Sequence, residues 1–512
     1  MDAVPPAQQA PLSDRLNRIP VMTRTHKAWT VLLGGLLLVD MADLNTFAFA
    51  APAIRADWHL SVENVGTITA ASFLGMFVGS IMGGRIADRI GRKKVILGAT
   101  AFFSLFSLVS AFAVGVADLV VYRVLTGFGL QAMTVVVLTY VSEMFPRLHR
   151  GRSQTWIVAV SLLGIPAMAW FARWVVPTGP SAWRWIFVLG TVGVLLLVLV
   201  ARWLPESVRW LEANGRGAAG APVVERLEAE ARAATGADLP EVVSEPAVET
   251  GRAADLVRGG YLKRTVVLSV TMMLALSGFY GFNSWVPTLL TEHGFTAAQS
   301  LTYSSILSLA AFPGALLALL FIDKVERRTA VLVIYTVVAA LCLVFGFTGS
   351  AGVLLASGLL ITMLLQMVTA CMYTYLPEIF PTNLRALGAG IGNGTGRLAT
   401  FATTFLVAAL LSALGFTAVF LYLAAVILLA GLTIGILGER TRGRSLEEIT
   451  RVGGAEETAT AQPRTAPAPW SPRTSSKTGA VRLSRGEVDH GVTARVPAGR
   501  ASHPSRTGPA RP

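Results

Sequence analysis

The chain has 512 residues, of which 53% are hydrophobic and 14% are charged, and its formal net charge is +13. A soluble domain carries about 25% charged residues, so this composition excludes an ordinary soluble protein and indicates a membrane protein. We therefore assign the positive charge to loops at a membrane surface rather than to nucleic-acid binding. The two cysteines, Cys342 and Cys371, lie in separate apolar runs, so we expect neither a disulfide scaffold nor a zinc site.

Twelve apolar runs follow one another, and each is long enough for a helix that crosses a bilayer, which takes about 20 residues. Their approximate limits are 28–51, 65–87, 95–113, 118–141, 154–175, 183–203, 265–290, 301–322, 329–349, 351–376, 386–411 and 416–437. The first run is too long for a cleaved signal peptide. The sequence therefore predicts an all-α membrane protein with 12 transmembrane helices, which we number as spans 1 to 12 in chain order.

Basic residues occur in alternate loops between these spans. One set of loops includes the polar N-terminal segment, the cluster from Arg85 to Lys94 and the long polar stretch after span 6. The other set carries only Arg55 and Arg184. Because Lys and Arg gather on the cytoplasmic side of a membrane, the sequence predicts a multi-pass protein of the cell membrane with both termini in the cytoplasm.

Charge and hydropathy divide the chain into five parts. These are a cytoplasmic N-terminal segment 1–27, a first six-helix half 28–203, a cytoplasmic linker 204–264, a second six-helix half 265–437 and a cytoplasmic tail 438–512. Within the linker, residues 223–234 have the composition of a short charged helix. The tail is rich in Ala, Pro, Arg and Ser, so it is expected to be mostly disordered. Its basic residues either stay solvated or contact anionic lipid.

The two halves repeat one another at an offset of 235 residues. YVSEMFPRLHRG at 140–151 matches YLPEIFPTNLRA at 375–386, and the same offset relates the loop after span 2 to the loop after span 8. The matched charged residues are Glu143 with Glu378, Arg150 with Arg385, Asp88 with Asp323, and Arg92 with Arg327. A chain built as two parallel six-helix repeats is an architecture of alternating-access transporters.

Three motifs resemble those of the major facilitator superfamily. GRIADRIGRKK resembles its loop between spans 2 and 3, LPESVRWL its element after span 6, and ERTRGRSLEEI its element after span 12. The resemblance implies a gate of paired charged loops that closes the cytoplasmic side when the protein faces outward. Its candidate residues are Asp88, Arg89, Arg92, Glu143, Arg150, Asp323, Arg327, Glu378 and Arg385. The alternative is that these charges only set the topology, and the second loop departs from the motif with Glu326 where the first has Gly91.

Ionisable residues inside the spans are candidates for ion coupling, because a charge within a bilayer is expensive. Asp40 and Asp43 share one face of span 1. Arg123 lies in span 4 at the depth of Asp43, taking a helical rise of about 1.5 Å per residue. In sugar porters and their relatives, a span 1 Asp pairs with a span 4 Arg, and this resemblance assigns proton coupling to Asp43 and Arg123, with Asp40 tuning the site. The alternative is a static ion pair that holds the helices in register.

Arg397, near the middle of span 11, is the candidate for binding an anionic substrate. Its guanidinium matches a carboxylate through two parallel hydrogen bonds. An ion pair between Arg397 and Asp40, which lies at comparable depth, is the structural alternative.

Four further polar or aromatic residues are candidates to line the same pocket. Tyr280, Asn283 and Trp285 lie on span 7, and Gln131 lies on span 4. A Trp near the end of a span also serves as an anchor at the membrane interface, which is the alternative for Trp285. Gln131, like Gln366 of span 10, alternatively bridges two helices.

DMAD in span 1, FYGFNSWVPTLL in span 7 and GRLAT in span 11 resemble motifs of aromatic-acid:proton symporters and nicotinate-type carriers. The resemblance implies import of a small aromatic carboxylate together with protons. Sugar porters normally carry a Gln pair where this chain has Met272 and Met273, and drug exporters carry a Gly-Pro motif where span 5 has Gly164-Ile165-Pro166. A sugar:proton symporter or facilitator, a proton-coupled drug or metabolite exporter and a non-transporting sensor are the alternatives.

The remaining expectations concern other partners. The sequence shows no catalytic nucleophile, metal cluster or phosphate-binding loop, so neither enzyme activity nor a cofactor is expected. The expected partners are a small-molecule substrate, protons and the lipid bilayer, without nucleic acid.

Overall fold

The computed structural model describes residues 10–242, 255–256, 259–321, 326–381 and 384–439. Within these ranges all regular structure is helical, and 12 segments are long and apolar enough to cross a membrane. The all-α architecture with 12 spans is therefore confirmed. Apart from residues 438–439, the tail that the sequence predicts to be disordered lies outside the described residues.

Seven spans are single helices. They are span 2 (Val62–Ile90), span 3 (Arg92–Ser110), span 4 (Val116–Met144), span 9 (Arg327–Phe347), span 10 (Ala351–Glu378), span 11 (Arg385–Leu414) and span 12 (Phe416–Leu437). The hydroxyl of Ser61 begins span 2 by accepting a hydrogen bond from the backbone N–H of Asn64. Such a cap satisfies one of the N–H groups that a helix N-terminus leaves without a partner.

Five spans are interrupted. Span 1 consists of Arg24–Leu44 and Thr46–Trp58, span 5 of Arg150–Ser161 and Gly164–Val175, span 6 of Arg184–Leu189 and Gly193–Trp203, span 7 of Gly259–Asn283 and Val286–Glu292, and span 8 of Ala297–Ser308 and Ala311–Phe321. The sequence predicts an unbroken span 1 that ends at residue 51, whereas the structure breaks it at Asn45 and continues it to Trp58. Interrupted helices form the binding sites of many transporters, and this break adjoins Asp43.

A glycine pattern on span 2 brings span 4 close to it. Gly75, Gly79 and Gly83 recur every four residues on the face that packs against span 4. A β-carbon at Gly75 would lie 1.9 Å from the carbonyl oxygen of Val124, and one at Gly79 would lie 2.3 Å from that of Phe128. Small residues at this spacing allow two membrane helices to approach closely. The packing fixes the depth of span 4 relative to span 2, and hence the depth of the arginine that span 4 carries.

The bundle has two ends, which we name by their position along span 2. The linker face is the end where span 2 finishes, at Ile90, and the distal face is the end where it starts, at Val62. At the linker face an arm helix, Leu12–Asn17, packs with a linker helix, Gly217–Thr235. The helix predicted at 223–234 is confirmed and extends beyond both predicted ends.

The two six-helix halves are joined near the distal face. Arg55, at the end of span 1, forms an ion pair with Glu292, at the end of span 7. Arg173 of span 5 donates a hydrogen bond to the hydroxyl of Thr302 on span 8. These contacts hold the halves together on the distal side of the bundle.

Candidate functional site

Asp43 and Arg123 meet in the interior of the first half. An Nη1 atom of Arg123 lies 3.8 Å from Oδ2 of Asp43, and neither side chain is exposed. The structure therefore brings together the two residues that the sequence places at one depth. Because both charges are removed from water, the pair carries a large desolvation cost that the mutual attraction of the two groups reduces.

The hydrogen bonds around this pair come from three other elements. Arg123 donates from Nε to the hydroxyl of Ser72 at 3.0 Å and from Nη1 to the hydroxyl of Thr46 at 3.1 Å. Ser107 of span 3 donates to Oδ1 of Asp43. Oδ2 of Asp43 and Nη2 of Arg123 are buried and accept or donate no hydrogen bond. The pair is therefore less completely bonded than a bidentate Arg–carboxylate pair, which leaves it easier to separate.

The duplication does not repeat this pair. The offset of 235 residues relates Asp43 to Gly278 and Arg123 to Gly358. A charged pair in one half and glycines in the other make the two halves chemically unequal. The charged pair to which the sequence analysis assigns ion coupling is thus found in the first half, and the matched positions of the second half carry no charge.

Asp40 lies beside the pair without joining it. Its Oδ2 accepts a hydrogen bond of 3.0 Å from the hydroxyl of Thr134 on span 4. Asp40 interacts electrostatically with Arg397, but among the described residues these two form no ion pair. The predicted structural alternative, a direct Asp40–Arg397 bridge, is absent from this part of the chain's structure.

Arg397 is buried and bonded to an aromatic residue. Nη1 of Arg397 donates a hydrogen bond of 2.8 Å to the phenol oxygen of Tyr280, and the guanidinium lies 5.2 Å from the centre of that ring. Across the described ranges, no carboxylate comes within ion-pairing distance of Arg397. The ring of Tyr280 meets that of Phe73, on span 2 of the other half, edge to face with 4.9 Å between centres. The predicted site residues Arg397 and Tyr280 are thus adjacent, at a contact between the halves.

The other pocket candidates are placed differently. Asn283 donates its side-chain N–H to the carbonyl oxygen of Phe279, one turn earlier in its own helix, and its side chain is partly exposed, so its role in the pocket stays a prediction. Trp285 is buried in the core with an unbonded indole N–H, which excludes the membrane-interface anchor as its position. Gln131 and Gln366 are buried and bridge no helices through hydrogen bonds within the described residues.

The predicted charge cluster at the linker face centres on Arg92. Its guanidinium lies 2.9 Å from Oδ1 of Asp88 and 2.8 Å from Oε1 of Glu143. The side chain of Asp88 is 70% exposed, whereas that of Glu143 is 14% exposed. Ser207, from the element after span 6, also donates to Glu143 at 2.5 Å. Glu143 is therefore the more buried of the two acids that Arg92 binds.

Glu206, which the sequence-based prediction missed, closes the same cluster. Its Oε1 accepts hydrogen bonds from the backbone N–H groups of Arg92 at 2.7 Å and Lys93 at 3.0 Å. A carboxylate at the N-terminus of a helix is stabilised by free N–H groups and by the helix dipole. The element LPESVRWL thus anchors the linker to the start of span 3, and its single Glu is the signal that identifies the anchor.

Several predicted gate residues lie outside this cluster. Arg89 is exposed and has no partner among the described residues. Within the described part of the chain Arg150 pairs with no acid. It donates to the side-chain oxygen of Asn17, on the arm helix, at 3.5 Å and to the carbonyl oxygen of Phe145 at 3.4 Å. Arg327 and Arg385 begin spans 9 and 11. Asp323 and the side chain of Glu378 lie outside the described residues, so their pairing stays a prediction.

The arm helix forms a second, unpredicted cluster with the linker helix. Glu228 accepts hydrogen bonds from Arg15 at 2.9 Å and from Arg18 at 2.7 Å. Glu212 accepts from the backbone N–H of Leu12 at 2.8 Å, at the start of the arm helix. Two arginines three residues apart, with Leu16 between them, are the sequence signal for an arm that docks on an acidic helix.

A family model and several known proteins match this chain. Residues 33–403 and 303–485 match the family model described as Major Facilitator Superfamily. The chain is 34% identical over 438 residues to the Bacillus subtilis protein YyaJ, which is named for metabolite transport, with 85% of this chain and 96% of that protein covered.

Two further relatives are named for transport of aromatic compounds. The niacin transporter NiaP of Acinetobacter baylyi is 29% identical, with 86% of this chain and 99% of that protein covered. The 4-hydroxybenzoate transporter PcaK of the same species is 28% identical, with 71% of this chain and 80% of that protein covered.

A solved structure shares the fold. It is the xylose transporter XylE from E. coli in a partially occluded inward open conformation, with a TM-score of 0.66, 19% identity, and coverage of 82% of this chain and 99% of that one. The chain therefore belongs to the Major Facilitator Superfamily and is a multi-pass transporter of small metabolites in the cell membrane, not an enzyme.

Proposed function

We propose that this transporter imports a small aromatic carboxylate together with protons, by alternating access. The observation that carries the proposal is the buried Asp43–Arg123 pair, 3.8 Å apart, with one unbonded polar atom on each partner. A proton on Asp43 removes the attraction between the two side chains. The helices that carry them, spans 1 and 4, then separate at lower cost, which links protonation to a change of conformation.

The substrate class is supported by Arg397. A buried guanidinium that lacks a carboxylate partner in the described structure is a receptor for an external carboxylate. The rings of Tyr280 and Phe73 lie beside it and offer aromatic faces and edges to a flat substrate. The names of NiaP and PcaK, niacin and 4-hydroxybenzoate, both specify aromatic carboxylates, which favours the same class for this chain.

The gate and its orientation complete the proposal. Because basic residues concentrate at the linker face, that face is the cytoplasmic one. Arg92, Glu143 and Glu206 hold the ends of spans 2, 3 and 4 to the linker at this face. In the proposed cycle the first half moves against the second around the central site.

The test is uptake by the full-length protein in liposomes with an inward proton gradient. The labelled probes are nicotinate, 4-hydroxybenzoate, an aliphatic carboxylate, xylose and a cationic drug. We expect gradient-driven accumulation of an aromatic carboxylate, which Asp43→Asn abolishes while it retains exchange of labelled for unlabelled substrate. Accumulation of xylose or export of the drug would instead support one of the alternatives. If the Asp43→Asn variant still accumulated its substrate in response to the proton gradient, Asp43 would be excluded as the coupling residue.

A further inference from the structure

Ser107 is the hydrogen-bond donor to the carboxylate of Asp43. Its hydroxyl bonds Oδ1 of Asp43 and also lies 3.1 Å from the carbonyl oxygen of Phe187 on span 6. Ser107 and Asp43 are both fully buried, so water does not compete for these contacts at the surface. A serine hydroxyl has one hydrogen, and it therefore donates to one of the two acceptors at a time.

Gly190 of span 6 lies directly against the hydrogen bond between Ser107 and Asp43. A β-carbon at Gly190 would lie 2.1 Å from Oδ1 of Asp43 and 2.2 Å from the hydroxyl oxygen of Ser107. Any larger residue at this position would push the carboxylate and the hydroxyl apart. Gly190 also begins the short 3-10 turn that interrupts span 6. The irregular part of span 6 therefore lies against the hydrogen bond between Ser107 and Asp43.

A neighbouring serine provides a direct comparison. Ser104, three residues earlier on span 3, is 1% exposed, compared with 0% for Ser107, yet its hydroxyl has no hydrogen-bond partner. The charged groups that face Asp43 are Arg123 from span 4 and Asp40 from its own helix. Spans 2, 3, 5 and 6 present only neutral groups to it within the described residues. Among these neutral groups, Ser107 is the one that donates a hydrogen bond to the carboxylate of Asp43.

We propose that Ser107 is a positioning residue that sets the pH at which the transporter takes up its proton. While Asp43 is ionised, the Ser107 hydroxyl donates to it and stabilises the negative charge. When Asp43 accepts a proton, an O–H bond forms on the carboxyl group and the charge disappears. The Ser107 hydroxyl then turns to the carbonyl oxygen of Phe187, which keeps its hydrogen bonded. This inference rests on the proposed proton-coupled function.

The experiment measures the initial rate of gradient-driven uptake of labelled 4-hydroxybenzoate or nicotinate, whichever the wild type accumulates, across a range of pH. Ser107→Ala removes a hydrogen bond to a charged group, so Asp43 binds its proton more readily. We expect the pH of half-maximal uptake to rise by about one unit. Exchange of labelled for unlabelled substrate requires no net proton movement, so it reports whether the variant is folded and binds substrate.

Two further variants make the outcome decisive. Ser104→Ala, the matched control, should leave the pH of half-maximal uptake unchanged. Ser107→Cys keeps a hydrogen-bond donor at this position, although sulfur is larger than oxygen and its hydrogen bond is weaker. It should give a smaller shift in the same direction, and this shift is the test if Ser107→Ala fails in exchange. The inference is overturned if a Ser107 variant with intact exchange shows the wild-type pH of half-maximal uptake. It is also overturned if Ser104→Ala shifts that pH by as much as Ser107→Ala does. A wild type that ignores the proton gradient overturns the proposed function itself and this inference with it.

Discussion

The guanidinium of Arg397 donates a hydrogen bond of 2.8 Å to the phenol oxygen of Tyr280, and the Tyr280 ring in turn contacts Phe73 of the other six-helix half. An anion that binds Arg397 therefore adjoins a contact between the two halves. A substrate shifts a conformational equilibrium only if it interacts differently with the two states. The position of Tyr280 offers such a difference, because an incoming carboxylate competes with the phenol for the same donor group.

Replacing Arg397 with Lys should weaken binding of the aromatic carboxylate by about 10-fold or more, because Lys cannot form the two parallel hydrogen bonds of a guanidinium. The dissociation constant is measured on the purified protein with labelled 4-hydroxybenzoate or nicotinate. Arg184→Lys is the matched control, since Arg184 donates to the carbonyl oxygens of Ala111 and Ala113 at the distal face. Equal affinities for wild type and Arg397→Lys would remove Arg397 from the binding site.

The linker-face cluster should respond unequally to loss of its two acids. Glu143→Gln removes the charge from a mostly buried partner of Arg92 and should lower the stability by about 2–3 kcal/mol. Asp88→Asn removes an exposed charge from the same arginine and should cost less than about 1 kcal/mol. Thermal unfolding of the detergent-solubilised variants compares the two. A larger loss for Asp88→Asn would contradict the assignment of Glu143 as the main acidic partner of Arg92.

The bond between arm and linker should make stability depend on pH through Glu228. Burial raises the pKa of the Glu228 carboxyl, but the hydrogen bonds from Arg15 and Arg18 outweigh burial and hold it below its usual value. A carboxyl with a lowered pKa stabilises the fold above its unfolded pKa and loses this contribution as the pH falls through the folded value. Glu228→Gln should therefore lower the melting temperature by about 3 °C at neutral pH, and by progressively less as the pH falls below about 4.3, the usual pKa of a Glu carboxyl, and through the lowered folded value.

Glu225→Gln is the control for that comparison. Glu225 lies on the same linker helix, but its side chain is exposed, so its replacement should leave the melting temperature nearly constant at every pH. The prediction fails if the loss of melting temperature in Glu228→Gln stays constant as the pH falls from neutral to about 3, well below the usual pKa of a Glu carboxyl, since the effect would then come from packing and not from the charge.

At the distal face, reversing one charge of the Arg55–Glu292 pair should favour separation of the halves on that side. Arg55→Glu places two acids together, so substrate exchange should slow and a thiol reagent should reach cysteines introduced beneath the pair more rapidly. The double variant Arg55→Glu with Glu292→Arg restores opposite charges and should return both measurements toward wild type. Failure of the double variant to recover would show that the two side chains do not act on each other.

The site illustrates how far sequence information extends. Residue type and helical rise were enough to place Asp43 and Arg123 at one depth, because depth in a membrane helix follows directly from position along it. Helical rise says nothing about the direction in which a side chain points. The sequence therefore could not show that the side-chain N–H of Asn283 bonds a carbonyl oxygen of its own helix. Ser107 and Gly190 carry no charge and form no motif, so nothing in the sequence singled them out.

The sequence by itself determined the class of fold, the number of spans and which charged residues lie within the spans, because helices in lipid require long apolar runs and a charge inside such a run is easily recognised. Only the tertiary structure decided which of these charges meet. It breaks span 1 beside Asp43, gives Glu143 rather than Asp88 the buried position at Arg92, and turns Arg150 toward the arm helix. Such pairings depend on helix rotation and close packing between residues distant in the chain, and hydrophobic patterns constrain neither.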